Sequence, residues 1–185
     1  MSSENFDFHF GEDRLTAGIA LKLASGNLKA GLRPETRQRI RESAETVSRI
    51  VGKGAPVYGI NTGFGPLCTT RISKAQTREL QVNILKSHSV GVGDPISEEL
   101  SRLMLVLKAH ALAKGYSGIS ETTLERILWH LEAGCIPLVP CQGSVGASGD
   151  LAPLAHLFLP LIGLGKVQYG EQVRPAGEVL EALGM

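Results

Sequence analysis

The sequence predicts a mainly α chain with minor short β elements. Two observations carry that reading. Several segments open on a helix-start signal and continue with apolar residues three and four positions apart, whereas extended runs are few, short and bounded by proline or glycine. The bulk numbers agree: 185 residues, 43% hydrophobic and 20% charged, suit a soluble globular chain with one core, or one and a half domains.

Phe6 to Phe10 alternates weakly and reads as a short strand. Thr16 stands as the cap of a short helix expected to turn Ile19, Leu21 and Leu23 inward. Helix propensity resumes after Pro34, where Ile40, Ala44, Val47 and Val51 recur at spacings of four, three and four. Six basic residues from Arg33 to Lys53 outnumber three acids there, and a solvated helix face accounts for them. Gly52 to Ile72 is the longest irregular stretch, too rich in apolar and aromatic residues for plain disorder, so a mobile lid is expected over about 52–72.

Ser73-Lys74-Ala75-Gln76 has the form of a capping box, opening a helix with Leu80, Ile84, Leu85 and His88 on nearby faces. Ser97 opens a helix carrying Leu100, Leu103, Met104, Leu107 and Ala111, with Gly115 just past its end. Ser120 opens the next, with Leu124, Ile127, Leu128 and Leu131, stopped by Gly134. Prolines and β-branched residues make Cys135 to Pro140 extended, leading into a glycine loop over about 141–150 and a buried helix from about Leu151 to Leu164. Lys166 to Tyr169 and Gln172 to Arg174 resemble a hairpin turning at Gly170-Glu171, and Pro175 opens a last helix.

Several function classes are disfavoured. A net charge of +1 argues against a surface dedicated to nucleic acid or anionic membrane. Cys68, Cys135 and Cys141 are odd in number and lack CxxC spacing, and His9, His110, His130 and His156 form no metal-ligand pattern, so inert thiols and structural histidines are expected. The acidic Met1 to Asp13 contains no secretory signal and no stretch reaches the roughly 18 apolar residues of a spanning helix, which makes the cytoplasm the expected location.

The chemistry lies in Gly143-Ser-Val-Gly-Ala-Ser-Gly-Asp-Leu-Ala-Pro-Leu-Ala-His156. No ordinary side chain is an electrophile, but Ala147-Ser148-Gly149 can become one. Attack of the Gly149 amide nitrogen on the Ala147 carbonyl carbon, with loss of water from the ring and from Ser148, gives a methylidene-imidazolone. A nitrogen reaches the carbonyl two residues back only in a tightly bent backbone, and Gly146 and Gly149 relieve the crowding. On the loop alone two other readings stay open: a flexible link before a helix, and a GxxGxxG phosphate or nucleotide binder at the helix N-terminus.

With Tyr58-Gly-Ile-Asn-Thr-Gly-Phe-Gly65 and Ser87-His88-Ser89-Val90-Gly91, this segment resembles the histidine and aromatic amino acid ammonia-lyase family in order and spacing over essentially the whole chain. The resemblance implies a 4-methylidene-imidazol-5-one formed autocatalytically from Ala147, Ser148 and Gly149, with no metal or nucleotide. It implies Tyr58 as the base taking the β-proton and Asn61, Gly63, Phe64 and Gly65 as shapers of the lid. Asp150 would assist cyclisation or hold the loop. A phenol is ordinarily protonated near neutrality, so such a base needs neighbouring donors, cations or helix N-termini, and an alkaline rate optimum is expected.

The Ser87-His88 pair resembles histidine-selective members, which implies L-histidine as substrate, urocanate as product and His88 as the group recognising the side chain. Tyrosine or phenylalanine lyase or aminomutase activity is the alternative. Family members are homotetramers that continue well past the position of Met185, so residues 1–185 are expected to be an N-terminal, cofactor-bearing region lacking the C-terminal helical bundle. Such a region would be inactive alone. A non-catalytic piece that keeps the fold is the remaining reading.

Overall fold

The computed structural model describes residues 6–54, 56–62, 74–149 and 151–185. Strand β1 (Phe8–His9) pairs in parallel with β2 (Ala30–Gly31), a partner the sequence did not announce. Between them lies α1 (Ala17–Ala24), capped by the Thr16 hydroxyl, which accepts from the Ile19 N–H at 3.3 Å. Its inward face is Ala20, Leu23 and Ala24, while Leu21 is exposed. The expected trio of 19, 21 and 23 followed a two-residue step, whereas a helix turns one face inward every three or four residues.

Helix α2 (Pro34–Lys53) runs to a left-handed Gly54 and buries Thr36 and Ile40. Its basic side is more than a solvated face. Arg37 and Arg41 each donate to Glu121 at 2.7 Å, and Arg37 also meets Glu125, fastening α2 to the helix that starts at Glu121. Helix α3 (Lys74–His88) begins at the expected place, although Ser73 of the expected cap lies outside the described residues. Strand β3 (Val92–Pro95) follows, then α4 (Glu98–Ala113) and α5 (Glu121–Glu132), whose caps Ser97 and Ser120 accept from Leu100 and Thr123 N–H groups.

The buried face of α4 is Ser101, Leu105, Val106, Ala109, His110 and Ala113. The expected stripe was wrong in part: Leu100 is 50% and Leu107 47% exposed. Helix α4 carries apolar residues on two sides, and periodicity alone cannot say which side meets this core.

Strands β4 (Cys135–Pro137) and β5 (Pro140–Gln142) lead to a single 3₁₀ turn over Gly146–Ser148, then α6 (Leu151–Phe158). The expected helix through Leu164 instead tightens to a 3₁₀ turn at Leu159–Ile162, around Pro160. Hairpin β6 (Lys166–Tyr169) and β7 (Gln172–Pro175) forms as expected, and β6 also pairs antiparallel with β4, Ile136 opposite Gln168. Helix α7 (Ala176–Ala182) closes the order.

One core gathers Phe8, Phe10, Leu23, Ile40, Leu105, Val106, Leu124, Ile127, Ile136, Val139 and Leu157. Each such side chain removed from water contributes about 1.5–3 kcal/mol. A smaller cluster of Cys135, Val167, Ala176 and Val179 sits under the hairpin. Both hold the strand that feeds the glycine loop, so the loop leaves from a fixed base.

Candidate functional site

Across Gly146–Ser148 the backbone makes one 3₁₀ turn, closed by the Gly149 N–H donating to the Gly146 carbonyl at 3.2 Å. Gly149 adopts φ +85°, a conformation that side-chain-bearing residues avoid. Among the described residues, no atom beyond the turn itself lies within 4 Å of where a Cβ on Gly146 or Gly149 would stand. The triplet is thus already bent, and this fits a backbone cyclisation. To reach Ala147, the Gly149 nitrogen must give up its looser bond to Gly146.

The turn is tied to α3 through its base. Strands β3 and β5 pair antiparallel, with Val92 opposite Gln142 and Pro95 opposite Pro140. A Cβ on Gly143 would stand 2.9 Å from the Gly91 Cα, and one on Gly91 would stand 3.1 Å from both the Gln142 carbonyl oxygen and His156 Nε2. The two glycines let two backbones meet where no side chain fits. The Gly91 N–H donates to His156 Nε2 at 3.0 Å, joining the chain just after α3 to the helix just after the turn.

His88 ends α3 three residues before that contact, half buried. Its Nδ1 lies 2.9 Å from the Ile84 carbonyl and 3.0 Å from Ser87 Oγ. A carbonyl only accepts, so Nδ1 carries the proton, and in the neutral ring Nε2 holds a lone pair that can accept from an N–H.

Tyr58 lies in a turn after α2 and is 64% exposed. Asn61, buried, shapes that turn: its Oδ1 accepts from the Val57 N–H at 2.7 Å, and the Ile60 and Asn61 N–H groups donate to the Val57 carbonyl. Gly59 and Ile60 border a groove of about 840 Å³ shared with Arg39, Val47, Gln81 and Tyr116. The structure therefore joins the chain just after Ser87-His88 to the base of the glycine loop through Gly91, Gly143 and His156. Gly63, Phe64, Gly65 and Asp150, and Cys68, lie outside the described residues.

Burial pushes the His156 imidazole below its ordinary value, consistent with a ring that must be neutral to accept from Gly91. Sequence reasoning set His156 aside for want of metal spacing. Its place at the end of the 14-residue segment was the available signal. Among the described residues, no group of His, Cys, Asp and Glu is placed to hold a metal ion, and no helix is long and apolar enough to cross a membrane.

Comparison with known proteins gives one answer. Histidine ammonia-lyase from Geobacillus thermodenitrificans is 48% identical over 151 residues, which cover 82% of this chain and 30% of that protein. The crystal structure of histidine ammonia-lyase from Trypanosoma cruzi matches with a TM-score of 0.85 at 36% identity, over 96% of this chain and 34% of that one. Tyrosine aminomutase from Streptomyces globisporus matches with a TM-score of 0.87 at 30% identity, over 96% and 33%. The chain spans about a third of the length of these relatives. A family model described as aromatic amino acid lyase matches residues 15–185, and the chain belongs to that family.

Proposed function

We propose that the complete protein carrying this chain eliminates ammonia from L-histidine to give urocanate, using an electrophile made autocatalytically from Ala147, Ser148 and Gly149. The observation that carries the reading is the union of two segments: a bent Ala-Ser-Gly turn fixed, through β3–β5 and Gly91, to the helix end that bears His88. Histidine ammonia-lyases among the relatives support the substrate. The domain reading follows: a cofactor loop over about 141–150, a lid over about 52–72, and a homotetramer in the complete protein.

When formed, the 4-methylidene-imidazol-5-one supplies an electron-poor alkene that an amine can engage before leaving as ammonia. The chain's own residues do the rest. His88, with Nδ1 committed to Ile84, offers Nε2 to an imidazole N–H of the substrate and so orients its ring. The Tyr58 phenolate oxygen takes the β-proton, and the turn built by Asn61 presents it on a segment able to close over substrate. Asp150, Gly63, Phe64 and Gly65 keep their proposed supporting roles.

Intact mass tests the turn directly: a deficit of two waters in the peptide containing Ala147 to Gly149 is expected, and Ser148→Ala, left as an open chain, should show no deficit from its own sequence mass. A complete protein that turns over histidine with an unmodified Ser148 would refute the reading. His88→Leu in the complete protein should lower kcat/KM for histidine by roughly 10–100-fold, as expected for a lost hydrogen bond to a polar ring. Unchanged histidine preference removes His88 from the role. Cinnamate, coumarate or a β-amino acid as the main product would identify the lyase or aminomutase alternatives instead.

A further inference from the structure

Histidine 156 stands on α6, eight residues after Ser148, and its Nε2 receives the Gly91 N–H, three residues beyond His88. No other side-chain hydrogen bond described here links the segment after α3 to the helix after the turn. The other ties are the β3–β5 pairing, the approach of Gly143 to Gly91 and the packing of α3 against α6. Backbone pairing fixes the separation and register of the two strands but not the orientation of the helices that leave them. Here the register shifts between Val92 and Pro95, where an extra residue bends the strand.

Resting on the function proposed above, we propose that His156 is a positioning residue that sets where His88 stands relative to the Ala147–Gly149 turn. The imidazole acts as an acceptor-only strut. The Gly91 N–H can only donate, so Nε2 is unprotonated and the proton sits on Nδ1. The ring also fills the space beside Gly91, where a Cβ would stand 3.1 Å from Nε2 and 3.2 Å from Cδ2. The strut therefore needs an acceptor at the distance of Nε2 and glycine at 91. Neither His88 nor the turn is touched by His156 in any contact described, so its effect on chemistry would pass through Gly91.

The test compares His156→Gln, whose amide oxygen reaches nearly as far as Nε2, with His156→Leu, which has the volume and no acceptor. In the complete protein, His156→Leu should raise KM for histidine by roughly tenfold, with kcat moved less, and Gln should restore most of the loss. Amide exchange of the chain should show Gly91 protection falling by roughly tenfold in the Leu variant and largely kept in the Gln variant. Nitrogen NMR of His156 should report the Nδ1–H tautomer. Equal kinetics for Leu and Gln, or Gly91 protection unchanged by Leu, overturns the strut. Exchange and tautomer are read without turnover, so a failed two-water deficit sinks the proposed function while leaving these results to decide whether Gly91 is held.

Discussion

Four histidines take their tautomer from a backbone group. Carbonyls of Ile84 and Cys135 require a proton on Nδ1 of His88 and His130, and N–H groups of Gly11 and Gly91 require a bare Nδ1 on His110 and a bare Nε2 on His156. Protonating the last two would set a donor against a donor. Nε2 of His130, buried, has no hydrogen-bond partner among the described residues, and burial holds His110, His130 and His156 below the ordinary 6.5. The unfolded chain takes up protons on these rings below pH 6.5 while the native chain resists. Stability should therefore be level above that pH and fall as pH drops toward the lowered native values. Urea midpoints of the chain should agree at about pH 8 and about pH 7 and decline by about pH 5.5; a midpoint unchanged at the lowest value contradicts the neutral-histidine account.

Helix starts were legible because a cap is a local event. Ser97 and Ser120 were both named from sequence, and each accepts from the N–H three residues on. Ser120→Ala should cost about 1 kcal/mol by chemical denaturation, since one first-turn donor loses its acceptor. A loss well under half that would mean water substitutes freely. Helix faces were less legible. The inward sides of α1 and α4 were misplaced because both helices are apolar over more than one stripe, and the choice between stripes belongs to the neighbour. The partners of short strands were not legible at all: β1 with β2, and β4 with β6, join residues more than twenty positions apart, and nothing local encodes the pairing.

For the molecule as a whole, the apolar surface is as informative as the core. Leu100 and Leu107 stand two turns apart on α4 and are half exposed, and Val90, Val92, Val145 and Leu151 are exposed around the site. Surface of that kind marks a place where more protein packs. The chain should self-associate, with sedimentation showing species above 19.7 kDa. Leu100→Glu with Leu107→Glu should shift the distribution toward the monomer. A chain that stays monomeric without those substitutions would show the stripe to be inert.

By itself the sequence determined the class of fold, the helix boundaries set by caps and prolines, and the chemistry available to Ala147-Ser148-Gly149. Each depends on residues within a few positions of one another. Only the tertiary structure decided that the His88 segment meets the glycine turn, that Gly91 and Gly143 are glycines because two backbones touch, and that His156 holds that junction. The physical reason is separation: a contact across more than fifty residues is made by the packing of α3, β3, β5 and α6 against one another, and no local pattern carries that information.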